Sequence, residues 1–165
     1  MILLKITDIK SAMAHLLVRG SFDTFYLDSA DVTTFVNLSM RGRRNRMWYD
    51  SDVQEENGSL SELVRWEEIK SMIFSFIKGD RTPTTMKIAL KADDEWAENM
   101  LKTSGVAGKY LEQKPDLFVH FRYEQNRLCV VTGISYRQFT MDKQIEFAWD
   151  EAVRQYFRQL GIAFF

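Results

Sequence analysis

The chain has one cysteine, two prolines and two histidines in 165 residues. The lone cysteine, Cys129, excludes an internal disulfide and fits a reducing compartment. Set in a valine-rich strand pattern, it reads as a small core residue rather than a nucleophile. The two histidines, His15 and His120, stand far apart with no cysteine partner, so neither matches a metal-ligand spacing. The few prolines and only eight glycines leave no collagen-like or extended low-complexity segment. No apolar run approaches the roughly 18 residues that cross a bilayer. Charge arrives at Lys5, too early for the core of a signal peptide. These absences point to a cytoplasmic protein without membrane contact. Charge of neither sign is in excess: a net charge of −1 gives no global drive toward nucleic acid. Any such contact must come from a local patch.

Catalytic signatures are missing too. Gly105-Val106-Ala107-Gly108-Lys109 lacks both the glycine spacing and the Ser or Thr after Lys that a phosphate loop needs. Asp93-Asp94-Glu95 is a carboxylate cluster at a predicted helix start, where the helix dipole favours negative charge, so capping explains it better than metal binding. There is no nucleophile elbow, kinase-like loop or HExxH run. No catalytic residue, metal or cofactor is expected. An enzyme with a site assembled only in space, around His15 or His120, is the weaker alternative.

What is present is an apolar fraction of 45%, ample for one domain spanning residues 1–165. The patterning predicts a strand over 2–7. A helix capped by Thr7 or Asp8 follows, with Ile9, Ala12, Met13, Leu16 and Leu17 on its apolar face, and ends at Gly20. Residues 23–29 and 32–40 read as a hairpin turning at Ser29-Ala30-Asp31. Residues 41–58 are polar and aperiodic. Ser59-Leu60-Ser61-Glu62 matches a capping box, predicting a helix over 61–78; Met72 and Phe74 widen its apolar face so that it is buried on more than one side. A strand over 86–91, a helix capped by Asp93, a loop over 105–116, strands over 117–123 and 128–136 with Gly133 a candidate bulge, and a helix over 142–160 complete the chain.

Two segments recur. Ile2-Leu3-Leu4-Lys5-Ile6-Thr7-Asp8 resembles Ile88-Ala89-Leu90-Lys91-Ala92-Asp93-Asp94, and Trp66-Glu67-Glu68 resembles Trp149-Asp150-Glu151, both pairs about 85 residues apart. The expected fold is therefore α+β: two βαββα-like halves, pseudo-repeats over about 2–79 and 86–161. Together they would form a mostly antiparallel sheet with helices packed against it and an internal pseudo-two-fold.

The strongest binding signal is Arg41-Gly42-Arg43-Arg44-Asn45-Arg46-Met47-Trp48-Tyr49. Arginine forks hold phosphates bidentately, and aromatics such as Trp48 and Tyr49 stack on unpaired bases. Lys78, Arg81 and Lys87 add positive charge near the next strand. Arg41, Arg43, Arg44, Arg46, Trp48, Tyr49, Lys78 and Arg81 are the candidate nucleic-acid contacts. The competing reading is a solvated loop whose arginines pair with Asp50, Asp52, Glu55 and Glu56. The partners this implies are nucleic acid or a nucleic-acid-handling protein. A protein-interaction module, including a homo-oligomer that uses Trp48, Tyr49 or Phe164-Phe165, is the alternative.

Leu4-Lys5-Ile6-Thr7-Asp8-Ile9-Lys10, Lys78-Gly79-Asp80-Arg81-Thr82-Pro83 and Thr132-Gly133-Ile134-Ser135 resemble an uncharacterised family of small proteins from Firmicutes, a domain of unknown function. The resemblance covers nearly the whole chain and implies no activity. A looser, architectural resemblance is to the repeated βαβββ units of DNA sliding clamps, which would imply a nucleic-acid-associated, clamp-like role. No clamp motif matches at residue level, so no clamp residue carries over.

Overall fold

The computed structural model describes residues 1–50 and 60–165. The elements are β1 (Leu3–Ile6), α1 (Ile9–Leu17), β2 (Tyr26–Thr33), β3 (Asn37–Arg41), α2 (Trp66–Ile77), β4 (Thr85–Lys91), α3 (Asp94–Leu101), α4 (Ala107–Gln113), β5 (Asp116–Glu124), β6 (Arg127–Ser135) and α5 (Gln144–Gln159). Short 3-10 turns occupy Arg46–Trp48 and Lys102–Ser104. The strands form one sheet in the order β1-β6-β5-β4-β2-β3, and every pair is antiparallel. The fold is α+β, as expected.

Alternation along the strands divides the sheet into two faces. Leu117, Val119, Phe121 and Tyr123 of β5 are buried, as are Leu128 and Val130 of β6 and Ile88 and Leu90 of β4. The helices close over this side: Leu16 and Leu17 of α1, Trp66 and Ile73 of α2, and Trp149, Val153 and Phe157 of α5 join the same core. Phe22 and Phe25, in the link from α1 to β2, pack edge-on at 5.5 Å, and Phe22 meets Phe121 in the same way. The two repeated tryptophans are both fully buried, and each satisfies its indole N–H on a backbone carbonyl, Trp66 on Leu16 and Trp149 on Phe118.

The order of elements repeats, but the strand pairing does not. β1 pairs with β6, whereas its counterpart β4 pairs with β2 and β5. A two-fold would require β4 beside β3. The sheet order therefore lacks the expected pseudo-symmetry.

Five local expectations change. The hairpin turns at 34–36 instead of at Ser29-Ala30-Asp31, because those three residues lie in register with β3 and β4 inside β2. The second helix starts at Trp66 and not at Ser61. Residues 61–65 run extended instead, with Leu63 bridging to Arg43 and Arg65 to Tyr26. Of the predicted capping box, Ser59 lies outside the described residues; the reaching-back role falls to Glu68, which accepts from the Arg65 backbone N–H at 2.7 Å. Met72 and Phe74 are 57% and 37% exposed, so α2 is buried on one side only. Residues 105–116 contain α4. Gly133 carries no bulge, since the β5–β6 register is continuous through it. The irregularity in the sheet lies between Leu27 and Ser29 of β2.

Candidate functional site

Segment 41–49 leaves the end of the edge strand β3 along a route that only glycine permits. A Cβ on Gly42 would lie 1.6 Å from the Leu27 carbonyl oxygen. Gly42 and Arg44 then bond to the extended 61–65 stretch, through Val64 N–H to the Gly42 carbonyl at 2.9 Å and Arg44 N–H to the Glu62 carbonyl at 2.8 Å. Arg44 is the centre of this joint. Its guanidinium holds the Glu68 carboxylate bidentately at 3.0 and 2.9 Å, and donates to the Tyr49 hydroxyl at 2.7 Å and the Ser61 carbonyl at 3.0 Å. Its side chain is 5% exposed. The hydrogen bonds from Arg44 hold the Glu68 carboxyl below its ordinary value.

The other arginines lie nearer solvent. Arg41 pairs with Asp31 and Arg43 with Glu62, each at 3.4 Å between largely exposed groups. Such pairs contribute little and exchange readily. Arg46, Met47 and Trp48 form the short turn capped by the Asn45 side chain, which accepts from the Met47 N–H at 3.1 Å. Met47 is 92% and Trp48 82% exposed. Arg44 and Tyr49 therefore hold the segment in shape, while Arg41, Arg43, Arg46 and Trp48 face outward.

Lys78 and Arg81 are elsewhere. They follow α2, beside the β2–β3 turn, and the length of β3, about 13 Å, separates that end from Arg41. There they border a hollow of about 430 Å³ between α1 and the 78–83 link, walled by Ile9, Met13, Ile77, Pro83 and Tyr123. Across the same link lies a second hollow of about 530 Å³, bordered by Phe35, Phe76 and Asp80.

The sheet face that no described helix covers brings together Lys87 and His120, named separately in the sequence, with Lys5, Arg122 and Phe118, which sequence reasoning did not single out as contacts. The register aligns Lys5, Cys129, Arg122, Lys87, Asp31 and Ser39 in one row, and Leu3, Val131, His120, Ala89, Ser29 and Arg41 in the next. The side chains of Arg122 and Lys87 have no ion-pair or hydrogen-bond partner among the described residues. Phe118 stacks on His120 with centroids 5.9 Å apart. Burial, then the neighbouring Arg122, lowers the His120 pKa, and Asp28 opposes them in part. Beside them a cleft of about 340 Å³ is lined by Asp28, Glu62, Asp94 and Asp116 with Lys91. Lys91 pairs with Asp116 at 2.7 Å, so the cleft keeps an acidic excess. The signal in the sequence was the alternation of β5, whose outer face holds Phe118, His120 and Arg122.

His15 is buried and structural in geometry. The Arg19 guanidinium lies 3.0 Å from Nε2 and can only donate, so the proton sits on Nδ1, 2.7 Å from Ser21 Oγ. The ring donates to that serine, the reverse of what a general base does. Burial, then Arg19, lowers its pKa. Of the terminal aromatics, Phe164 packs edge-on against Phe157, while Phe165 is 73% exposed beneath Lys5. Among the described residues no group of three or more His, Cys, Asp or Glu side chains is placed to hold a metal ion, and no helix is long and apolar enough to cross a membrane.

These features define an α+β fold with one antiparallel sheet, one face of which no described helix covers, helices on the other face, and outward-facing aromatic and basic surface at both ends of its edge strand. Residues 15–165 match the family of unknown function DUF5721, and the chain belongs to it. No curated protein and no solved structure matches the chain significantly. Nothing in these comparisons relates it to sliding clamps.

Proposed function

We propose that this domain is a non-enzymatic interaction module that buries Met47 and Trp48 against a protein partner. One observation carries the reading: the Arg44 joint fixes a short turn whose two large apolar side chains point into solvent. Tryptophan and methionine are enriched at the cores of protein interfaces, and pre-ordering the turn lowers the entropy cost of docking. Arg41, Arg43 and Arg46 form the polar rim. The nearby acidic groups Asp31, Glu62 and Asp28 weaken the attraction of this end for phosphate.

A second reading places single-stranded nucleic acid on the open sheet face. The row Lys5, Arg122 and Lys87 beside Phe118 favours it, since cations that track a backbone next to an aromatic platform are the common means of such binding. In this reading the Arg41–Arg46 segment extends the track.

Photo-crosslinking separates the two. The chain is produced in cells with p-benzoylphenylalanine in place of Trp48 or, separately, of Phe118. After irradiation, adducts are treated with protease or nuclease. A protein adduct at position 48 is expected. A nuclease-sensitive adduct at position 118 would favour the second reading, and absence of any adduct at 48 would end the first.

A further inference from the structure

We infer that the hollow between α1 and the 78–83 link is a docking site for an acidic, apolar-anchored segment of a partner protein. The site lies at the opposite end of β3 from Trp48 and goes beyond the interface proposed above. Its wall is apolar: Ile9 and Met13 from one face of α1, Ile77 from the end of α2, and the buried Pro83. Its charged lining is of one sign, Lys10, Lys78 and Arg81, and all three are exposed. None of the three side chains has an ion-pair or hydrogen-bond partner among the described residues.

Charge complementarity selects the occupant. Cations spaced around an apolar concavity suit carboxylates flanking one or two buried side chains, as when an amphipathic helix lies in a groove. At about 430 Å³ the hollow is large enough for two such side chains. A nucleic-acid strand would need a stacking platform. The one aromatic in this wall, Tyr123, is 7% exposed, and its hydroxyl donates to the Asn126 side chain at 3.0 Å, so no ring face is offered inside this hollow; the exposed Phe35 of the adjoining hollow makes nucleic acid the competing occupant that the test below must exclude. The adjoining hollow, with Phe35 96% exposed at its rim, extends the apolar track toward the β2–β3 turn. A docked helix of about twelve residues, some 18 Å long, would reach from one to the other.

The test is selection of a random phage-displayed peptide library on the full chain. Enriched peptides are then synthesised with a fluorescent label and measured by anisotropy. Enrichment of Asp and Glu around two or more large apolar residues is expected, with binding that weakens as salt rises. K78E/R81E should reduce affinity about tenfold or more, and Met13→Gln should reduce it through the wall alone; circular dichroism checks that both variants fold. A dodecathymidylate strand and phosphatidylserine vesicles serve as competitors. The inference fails if no acidic-apolar pattern emerges, if such peptides bind both variants as tightly as the parent, or if the competitors bind this site and displace them.

Discussion

Gly133 pairs across the strands with Phe118 and lies diagonal to His120, and a Cβ on Gly133 would lie 3.0 Å from His120 Nε2. The glycine is the space into which the imidazole folds. With Phe118 stacked alongside, this keeps the ring half-buried and its pKa lowered. Glycine within a strand ordinarily costs stability relative to alanine, by about 0.5–1 kcal/mol. Here that cost is retained because the diagonal His120 side chain fills the gap. Gly133→Ala in the parent should therefore bring little or no gain, while in a His120→Ala background it should stabilise by about 0.5–1 kcal/mol. Urea denaturation of the four proteins measures the cycle. Equal effects in both backgrounds would show that the contact does not restrain the ring.

Gly42 poses a harder constraint. The atom that a side chain there would meet is the backbone oxygen of Leu27, at 1.6 Å, next to the Asp28 irregularity in β2. A backbone oxygen cannot swing aside as an imidazole can. Gly42→Ala should destabilise by at least about 3 kcal/mol, among the larger effects of single substitutions, and should detach segment 43–49 from residues 61–65. Thermal melts followed by circular dichroism check the first effect and limited proteolysis the second. A variant melting within a few degrees of the parent would refute it.

The same contrast explains what could be read from the amino-acid order. Strand β5 declared itself, since Leu117, Val119, Phe121 and Tyr123 alternate with Phe118, His120 and Arg122 and period two is a local property. The Asp8 and Asp93 caps were legible too: each accepts a backbone N–H three residues on, from Ser11 and from Trp96. Helix α2 starts later than the pattern predicts because Leu63 fits its apolar stripe, yet the stretch is drawn into an extended path by the bonds of Val64 to Gly42 and Leu27, partners that no local window contains. The arginine cluster was visible as composition. The assignment of Arg44 to Glu68, and of Lys78 and Arg81 to a separate hollow, depends on contacts between distant segments. The open-face row of Lys5, Arg122 and Lys87 comes from strand order, which sequence spacing alone does not set.

Arg44 and Glu68 join segment 41–49 to the first turn of α2, and that joint is testable through both stability and pH. Glu68 accepts from the Arg65 backbone N–H as well as from the Arg44 fork, so removing the arginine leaves the helix start partly capped. Arg44→Ala should cost about 2 kcal/mol, the range for losing hydrogen bonds to a charged group, here between a buried guanidinium and a part-exposed carboxylate. Arg44→Lys should recover little of it, because an ammonium cannot reproduce the bidentate geometry. The hydrogen bonds from Arg44 lower the folded pKa of Glu68 beneath its ordinary 4.5. On acidification the unfolded chain therefore takes up this proton first. The contribution is complete above about pH 4.5 and is lost as pH falls through the folded value. The stability gap between parent and Arg44→Ala should accordingly narrow from about pH 6 to about pH 3, as measured by urea denaturation across that range. A gap that stays constant would mean that Arg44 stabilises the joint through the Ser61 and Tyr49 contacts alone.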